Sequence, residues 1–494
     1  MSLPIQERGT MENKVKFGTS GIRGLVSDMT DQVCYAYTLS FLQYLRSIDA
    51  IQAGHAVGVG GDLRSSTPRI MNAVAAAVCD AGYHIINCGL LPTPALTLYG
   101  VSEKIPTIMV TGSHIPDDRN GIKFNKPDGE VLKQDEQGIL AQQPTLNVAL
   151  FDAQAALLKS DYLPAVVNIA QEQYIQRYLD FFPHNALSGL KVGVYEHSSV
   201  GRDIFKTILS GLGAEVLALE RSDSFISVDT EAIRPEDVSL AKQWSTEYHL
   251  DSIISADGDA DRPLVSDEHG EWLRGDVAGI LVAHFLQADA VVTPVSSNSA
   301  LEKSQFFKQV ERTKIGSPYV IAAMQAITDK NTVVGYEANG GFLLNTPVNL
   351  LGQQLAALPT RDAILVPLCI LLMSKQQTGS IAALLKTLPA RITYSDRIKN
   401  FPTELSQSIL ADMQSGQLDS DAAVIKRLFA GQIAEAVGID YTDGVRITLA
   451  NEEVVHLRGS GNAPELRCYT EAADHQRAQA LNQLCMQHMQ SWNH

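Results

Sequence analysis

The chain has 494 residues, more than one hydrophobic core sustains, so roughly three to four domains are expected. Hydrophobic residues make up 45% and charged residues 19%, an ordinary balance for a globular protein. The formal charge of −16 argues against a nucleic-acid surface, which needs a basic field, and any anionic ligand must be held by local arginines, lysines and backbone amides.

The first sixteen residues are polar and lack the apolar centre of a secretory signal. The longest apolar run, 363–373, is too short to span a bilayer. The cysteines at 34, 79, 88, 369, 468 and 485 form no CxxC pair, which argues against a zinc cluster; their apolar surroundings read as reduced core thiols. A cytoplasmic protein with no membrane or nucleic-acid partner is the expectation.

The first element of interest is the glycine-rich stretch 17–24, Phe-Gly-Thr-Ser-Gly-Ile-Arg-Gly, whose amides and Arg23 could cradle a phosphate; a plain turn is the alternative. A strand at 55–62, a helix at 68–80 and a strand at 83–88 follow. Another apolar strand, 107–110, ends abruptly in Thr111-Gly112-Ser113-His114 and runs on to Asn120-Gly121-Ile122-Lys123. That exit leaves a serine hydroxyl projecting from a rigid edge. Neighbours on an extended chain point to opposite faces, so His114 is poorly placed to deprotonate Ser113, and the loop has no GxSxG elbow. A serine that receives and returns a phosphoryl group fits better than a Ser-His-Asp hydrolase.

A polar, glutamine-rich stretch at 134–145 marks a boundary near 150. The strand, helix, strand pattern then recurs at 190–196, 201–209 and 214–219, with glycine supplying the helix stop, which argues for βαβ units. The strand 252–256 leads into Asp257-Gly258-Asp259-Ala260-Asp261-Arg262. Carboxylates at alternate positions of a tight turn can converge on one hard divalent cation. An EF-hand needs glycine at the sixth position, where this loop has Arg262; a solvated acidic turn is the bland alternative. A weaker third copy reads as a strand at 290–293, a polar turn, a helix at 319–328 and a strand at 332–335. The turn 335–341 carries Glu337 and Asn339, a carboxylate and an amide able to meet adjacent sugar hydroxyls. The segment 374–379 breaks the pattern, and the remainder reads as α+β. Within it, 458–467 packs Arg458, Ser460, Gly461, Asn462 and Arg467 into ten residues, a dense set of anion donors.

Taken together, FGTSGIRG at 17–24, TGSHIPDDRNGIK at 111–123, DGDADR at 257–262, YEANGG at 336–341 and RGSGNAPELR at 458–467 resemble the α-D-phosphohexomutase family over nearly the whole chain. The resemblance implies an α/β fold of three repeated mixed α/β domains plus a C-terminal α+β domain around a central cleft. The boundaries expected here are 1–150 with the phosphoserine loop, 151–264 with the metal loop, 265–375 with the sugar loop and 376–494 with the phosphate loop. It further implies Ser113 as the phosphoserine, and Asp257, Asp259 and Asp261 with Ser113 as the Mg2+ site. Arg23, His114 and Lys123 would stand at the reacting centre, with Arg262 closing the metal loop. Glu337 would read sugar hydroxyls beside Asn339, and Gly316 and Ser317 would line the substrate site. Arg458, Ser460, Gly461, Asn462 and Arg467 would grip the non-reacting phosphate. The implied activity is interconversion of hexose 1-phosphate and 6-phosphate, of mannose, glucose or both, with hexose 1,6-bisphosphate as intermediate and activator. A metal-dependent sugar-phosphate phosphatase and a non-catalytic sugar-phosphate-binding protein are the alternatives.

The chain departs from the family pattern at Ile115 (commonly Asn), at Asn339 and Gly341 (commonly Ser and His), and in the loop 314–319, which lacks a histidine. Without a histidine at 341, proton handling is expected to rest on Lys123 or His114, a lysine crowded by cations being able to approach a neutral pKa.

Overall fold

The computed structural model describes residues 14–18, 20–350, 352–460 and 464–492. They group into two compact units, one of Met1–Ala288 with Ser317–Leu384, the other of Asp289–Gly316 with Leu385–His494.

The strand–helix–strand repeat is present twice in the first unit. Ala56–Gly61, Thr67–Asp80 and His84–Leu90 form one copy, and Lys191–His197, Arg202–Gly211 and Glu215–Arg221 the other. The two strands of each copy pair in parallel, Ala56 opposite His84 and Lys191 opposite Glu215. In the helix Arg202–Gly211 the buried residues Ile204, Phe205, Ile208 and Leu209 recur at helical spacing, so one stripe faces the sheet and the rest faces water. The first sheet runs Lys16–Phe17, Gly21–Leu25, Arg119–Lys126, Thr107–Val110, Ala56–Gly61, His84–Leu90, with Gly129–Glu130 added beside Arg119–Lys126. The second runs Pro263–Val265, Ser252–Ala256, Lys191–His197, Glu215–Arg221.

Two central strands position the chemistry. Thr107–Val110 and Ser252–Ala256 are buried at every residue, as strands covered on both faces must be. Where each apolar run stops, the chain turns at the carboxyl end of a parallel strand, the usual place for a ligand in an α/β sheet. The turns so placed are the ones carrying Ser113 and Asp257.

Further along, Val333–Tyr336 and Phe342–Leu344 make a hairpin. The apolar run at 363–373 lies in the helix Leu365–Gln377, whose residues 365–374 are all buried, so it is a core helix. Among the described residues no helix is long and apolar enough to cross a membrane. All six cysteines are free thiols; five are buried, whereas Cys79 is exposed near the end of its helix rather than in apolar surroundings.

The second unit contains five antiparallel strands in the order Ile392–Lys399, Glu465–Ala472, Val454–Gly459, Val445–Leu449, Ala436–Asp440. Helices Thr403–Asp412, Leu418–Leu428 and His475–Ser491 pack on a core that includes Phe401, Met413, Ile425, Phe429, Leu457, Cys468 and Met489. This is the α+β section expected of the C-terminal part. The unit also holds the parallel pair Ala290–Pro294 and Gln309–Thr313. The second of these strands has no sequence signal: Gln309, Glu311 and Arg312 interrupt it and four of its five residues are only half-buried, so no apolar run marks it.

Candidate active site

Ser113 is fully buried and has a φ of 57°, a left-handed conformation that a serine adopts only when its surroundings impose it. Those surroundings are polar. The Ser113 amide donates to Thr111 Oγ1 at 2.8 Å, and Thr111 Oγ1 donates to Asp62 Oδ2 at 2.7 Å. Arg64, 2% exposed, pairs with Asp62 and spends its outer nitrogens on four carbonyls of this loop. Its Nη2 donates to Ser113 O at 2.8 Å and Ile115 O at 2.6 Å, its Nη1 to Pro116 O at 2.8 Å and Arg119 O at 2.9 Å. Phe225 stacks 3.9 Å from the guanidinium carbon. The glycine before the serine makes this possible, since a Cβ on Gly112 would lie 2.5 Å from Arg64 Cζ.

The acidic turn is a closed loop between antiparallel partners Ala256 and Pro263, with Asp257 N donating to Arg262 O at 3.1 Å. It is flanked by strands rather than helices, so it is no EF-hand. Asp257, Asp259 and Asp261 are all fully buried, and one oxygen from each lies within 4.8 Å of the others. The serine reaches them directly: Ser113 Oγ donates to Asp257 Oδ2 at 2.5 Å. Lys123 Nζ lies 2.5 Å from Asp259 Oδ2 and 2.6 Å from Asp261 Oδ2, and Thr93 Oγ1 donates to Asp259 Oδ2 at 2.5 Å. Asp259 Oδ1 and Asp261 Oδ1 are buried with no hydrogen-bond partner among the described residues. Three converging hard oxygen donors, two with an unsatisfied atom, fit a hard divalent cation such as Mg2+.

Charge sets the protonation states. Burial, with Asp259 and Asp261 beside it, pushes Asp257 well above the usual carboxylate range. Asp261 is held low: burial would raise it, but Arg361, Lys123 and Arg262 together outweigh that. Burial also opposes the charge on Lys123, yet Asp259 and Asp261 outweigh it and raise the pKa. The expectation of a lysine crowded by cations is therefore corrected; Lys123 lies between carboxylates that retain its proton. His114 differs from expectation too. Because Ser113 is left-handed, the alternation of an extended chain is lost and His114 Nδ1 sits 3.3 Å from Ser113 Oγ. Arg262 Nη1 donates to that nitrogen at 2.9 Å, and burial and Arg262 push the pKa down to about 3, so both disfavour a proton there. Arg23, on the strand Gly21–Leu25 opposite Gly121, is lowered to about 10 by burial and by Arg262 and Arg361.

The sugar-loop candidates sit in the hairpin turn 337–341. Glu337 is 4% exposed and its Oε2 lies 3.4 Å from Arg361 Nη1; Arg361 Nη2 lies 2.9 Å from Asp261 Oδ2. Asn339 turns inward, its Oδ1 accepting from Gly341 N at 2.9 Å, so the loop itself uses that oxygen. Ser317 starts the helix Ser317–Ala326 and donates to Glu130 Oε2 at 3.3 Å, while Gly316, with φ 130°, ends a segment of the other unit. The structure thus joins Ser113, His114, Lys123, the three aspartates and Arg262 by direct contact, and Glu337 through Arg361. Asn339 and Ser317 are engaged elsewhere.

In the second unit Arg458 and Arg467 stand directly opposite each other on adjacent strands, and Arg397 stands opposite Arg467 on the far side. Three cations in one cross-strand row repel unless anions answer them. Asp443 Oδ1 lies 2.9 Å from Arg458 Nε, and Glu465 Oε2 lies 3.2 Å from Arg467 and 3.6 Å from Arg397. The Ser460 amide donates to Glu465 O at 2.9 Å. Gly461 and Asn462 lie outside the described residues.

Arg64, Arg361, Thr93 and Arg397 escaped the sequence reading. A charged Asp-x-Arg after the glycine-rich strand end at 61, and Thr360-Arg361-Asp362 ahead of an apolar helix, were visible signals for the first two. Arg397 is apparent only from register.

The family models described as Phosphoglucomutase/phosphomannomutase, alpha/beta/alpha domains I, II and III, match residues 14–146, 172–270 and 274–392, and that of the C-terminal domain matches 405–486. The chain is 46% identical over 459 residues to a phosphomannomutase of Salmonella muenchen, covering 93% of this chain and 92% of that one. It is 42% identical over 468 residues to a phosphomannomutase of Sinorhizobium fredii, covering 94% and 97%. In fold it is similar to a phosphoglucomutase/phosphomannomutase family protein from Burkholderia thailandensis, with TM-score 0.75 at 18% identity over 98% of each chain. It is also similar to the N-acetylphosphoglucosamine mutase of Aspergillus fumigatus solved with GlcNAc-6P and magnesium, with TM-score 0.60 at 14% identity, covering 97% and 96%. On the matches along its whole length, the chain belongs to the phosphoglucomutase/phosphomannomutase family of α-D-phosphohexomutases.

Proposed function

We propose that this protein is a hexose-phosphate mutase, an isomerase, that carries a phosphoryl group on Ser113 and acts on mannose phosphates foremost, with glucose phosphates as further substrates. The observation that carries the reading is the 2.5 Å hydrogen bond from Ser113 Oγ to Asp257 Oδ2, across 144 positions of sequence, at a buried three-aspartate turn. The phosphomannomutases at 46% and 42% identity support the choice of mannose.

In the reaction proposed, phosphorylated Ser113 gives its phosphoryl group to the free hydroxyl of a hexose monophosphate. The bond from Ser113 Oγ to phosphorus breaks as a bond from the sugar oxygen to phosphorus forms. The resulting hexose 1,6-bisphosphate turns over and returns its other phosphoryl group to Ser113, so supplied bisphosphate also primes the enzyme. Mg2+ held by Asp257, Asp259 and Asp261 with Ser113 would stabilise charge on the phosphoryl oxygens.

The chain's own residues supply the rest. Arg64 and Asp62 fix the serine loop so that Oγ is aimed before substrate arrives, which lowers the reorganisation that the transition state requires. Arg23 and Arg262 add positive charge for the equatorial oxygens, and Arg262 keeps His114 neutral. Lys123 is the proton carrier we assign: as the ammonium it gives its proton to the oxygen leaving phosphorus, Ser113 Oγ in the first transfer and the sugar oxygen in the second, and the neutral amine so formed takes the proton of the attacking hydroxyl. Glu337 reads sugar hydroxyls, and the Arg458–Arg467 loop with Ser460, Gly461 and Asn462 holds the phosphate that is not transferred. Domains divided near 150, 264 and 375 are part of the same reading, as is a reducing, cytoplasmic setting, which the free thiols support.

The test is a coupled assay with mannose 1-phosphate and glucose 1-phosphate, run beside a measurement of inorganic phosphate. Formation of the 6-phosphates with little phosphate release supports the mutase. Phosphate release without isomerisation would make the protein a phosphatase, and binding without either reaction would make it a non-catalytic binder.

A further inference from the structure

Gly341 has no left-handed φ, so its backbone conformation does not call for glycine. The space does. A Cβ at this position would lie 2.6 Å from Arg361 Cδ and 2.7 Å from Arg361 Cγ, closer than such atoms approach. These are mid-stem atoms of a side chain whose far end is fixed. Arg361 Nη2 is 2.9 Å from Asp261 Oδ2 and Nη1 is 3.4 Å from Glu337 Oε2, with the side chain 3% exposed. The arginine is also pinned through its neighbours. Thr360 Oγ1 donates to Glu130 Oε1 at 2.6 Å, and Asp362 accepts from Tyr174 Oη at 2.6 Å and from Tyr178 Oη, while its amide donates to Phe342 O at 3.0 Å. One buried donor, Arg361 Nε, has no hydrogen-bond partner among the described residues.

The geometry points to Arg361 as a positioning residue that depends on glycine at 341. A permanently charged guanidinium, lodged over Gly341, ties the sugar-loop carboxylate Glu337 to the ion-loop carboxylate Asp261. Glu337 is thereby held at a fixed orientation for the hydroxyls of a phosphosugar, and the sugar loop and the reacting centre are set by one side chain. A lysine could keep the charge but could not span both carboxylates with a planar fork. The inference rests on the mutase reading for its substrate class.

The experiment is a double-mutant cycle of Gly341→Ala and Arg361→Ala, with Arg361→Lys as the conservative variant. Calorimetric binding of mannose 6-phosphate is measured beside kcat and KM, and circular dichroism checks folding. Gly341→Ala should weaken sugar-phosphate binding about 10-fold in the parent chain, by displacing the stem, and less than about 2-fold once Arg361 is alanine. Arg361→Ala should lower kcat/KM by about 100-fold, through KM as well as kcat, and Arg361→Lys should recover part of the kcat but not the KM. Equal losses from Gly341→Ala in both backgrounds would overturn the proposal, as would an Arg361→Ala enzyme that binds mannose 6-phosphate as the parent does. If Gly341→Ala does not fold, the Ala and Lys variants at 361 decide, and equal KM values for these and the parent overturn it. Failure of the mutase reading is separately visible: the parent chain would then not isomerise at all, while the binding cycle would still report on the pair.

Discussion

The serine–aspartate centre of the first unit and the arginine row of the second both gather like charges, and they manage them in opposite ways. At the centre, three aspartates are fully buried and are answered by buried cations, Lys123 and Arg361, with side-chain exposures of 8% and 3%. In the row, Arg458, Arg467 and Arg397 keep 20%, 33% and 49% of their side chains exposed, and water shares the work with Asp443 and Glu465. A buried charge left without its partner costs several kcal/mol, whereas an exposed pair is worth about 1 kcal/mol or less. The centre is therefore held in fixed geometry and the row is not, which is what the proposed function asks of a reacting serine and of a site that captures an anion reversibly.

The largest test of that contrast is Ser113→Ala, which should lower mutase turnover by at least about 1,000-fold while mannose 6-phosphate binding by calorimetry stays within about 3-fold. Retained turnover would remove the serine from the centre of the account. Next comes the scaffold beneath it. Arg64→Met strips donors from four carbonyls and leaves Asp62 buried without its cation, so denaturant unfolding should show a loss of about 3–5 kcal/mol. A loss below about 1 kcal/mol would show that the loop holds its shape without the arginine.

Acid should act on both units, because among the described residues each contains a fully buried histidine held neutral by its surroundings. His197 donates from Nε2 to Ala256 O at 2.8 Å and His456 from Nε2 to Asp443 O at 2.7 Å, and in both Nδ1 is buried without a hydrogen-bond partner among the described residues. Burial lowers each pKa from 6.5 to about 4. A folded pKa below the unfolded one means that the unfolded chain binds more protons between those values. Stability is complete above the unfolded pKa of 6.5 and falls as pH drops towards 4, by up to about 3 kcal/mol per histidine. Unfolding midpoints at about pH 7.5 and about pH 4.5 measure it, and His456→Gln should flatten the profile by one histidine's share. The smallest effect belongs to the arginine row. Arg458→Ala or Arg467→Ala should raise KM by about 10-fold with kcat nearly unchanged, change unfolding by less than about 1 kcal/mol, and blunt the weakening of substrate binding by salt. A kcat loss as large as that of Ser113→Ala would place the row in the chemistry instead.

What the sequence revealed, and what it hid, follows the same divide. Thr107–Val110 and Ser252–Ala256 are apolar runs broken by polar residues, so the strand ends, and with them Ser113 and Asp257, were legible as local pattern. The repeated strand–helix–strand units were legible because each is short and closed by glycine. Partners that arrive from distant segments left little local trace. Arg64 and Arg361 occupy polar stretches like any other, and only folding places their side chains under Ser113 and beside Asp261. The environment of Lys123 was misjudged for that reason: its acidic neighbours lie 136 and 138 positions away. His114 was misjudged because a single backbone angle, the left-handed φ of Ser113, turned a residue expected to face away into a 3.3 Å neighbour.

Intact-protein mass spectrometry after incubation with glucose 1,6-bisphosphate and Mg2+ tests the phosphoserine directly. The account predicts a gain of one phosphoryl group, mapped by fragmentation to Ser113, discharged by mannose 6-phosphate and absent in Ser113→Ala. An unchanged mass, or a phosphoryl group on another residue that survives Ser113→Ala, would contradict it.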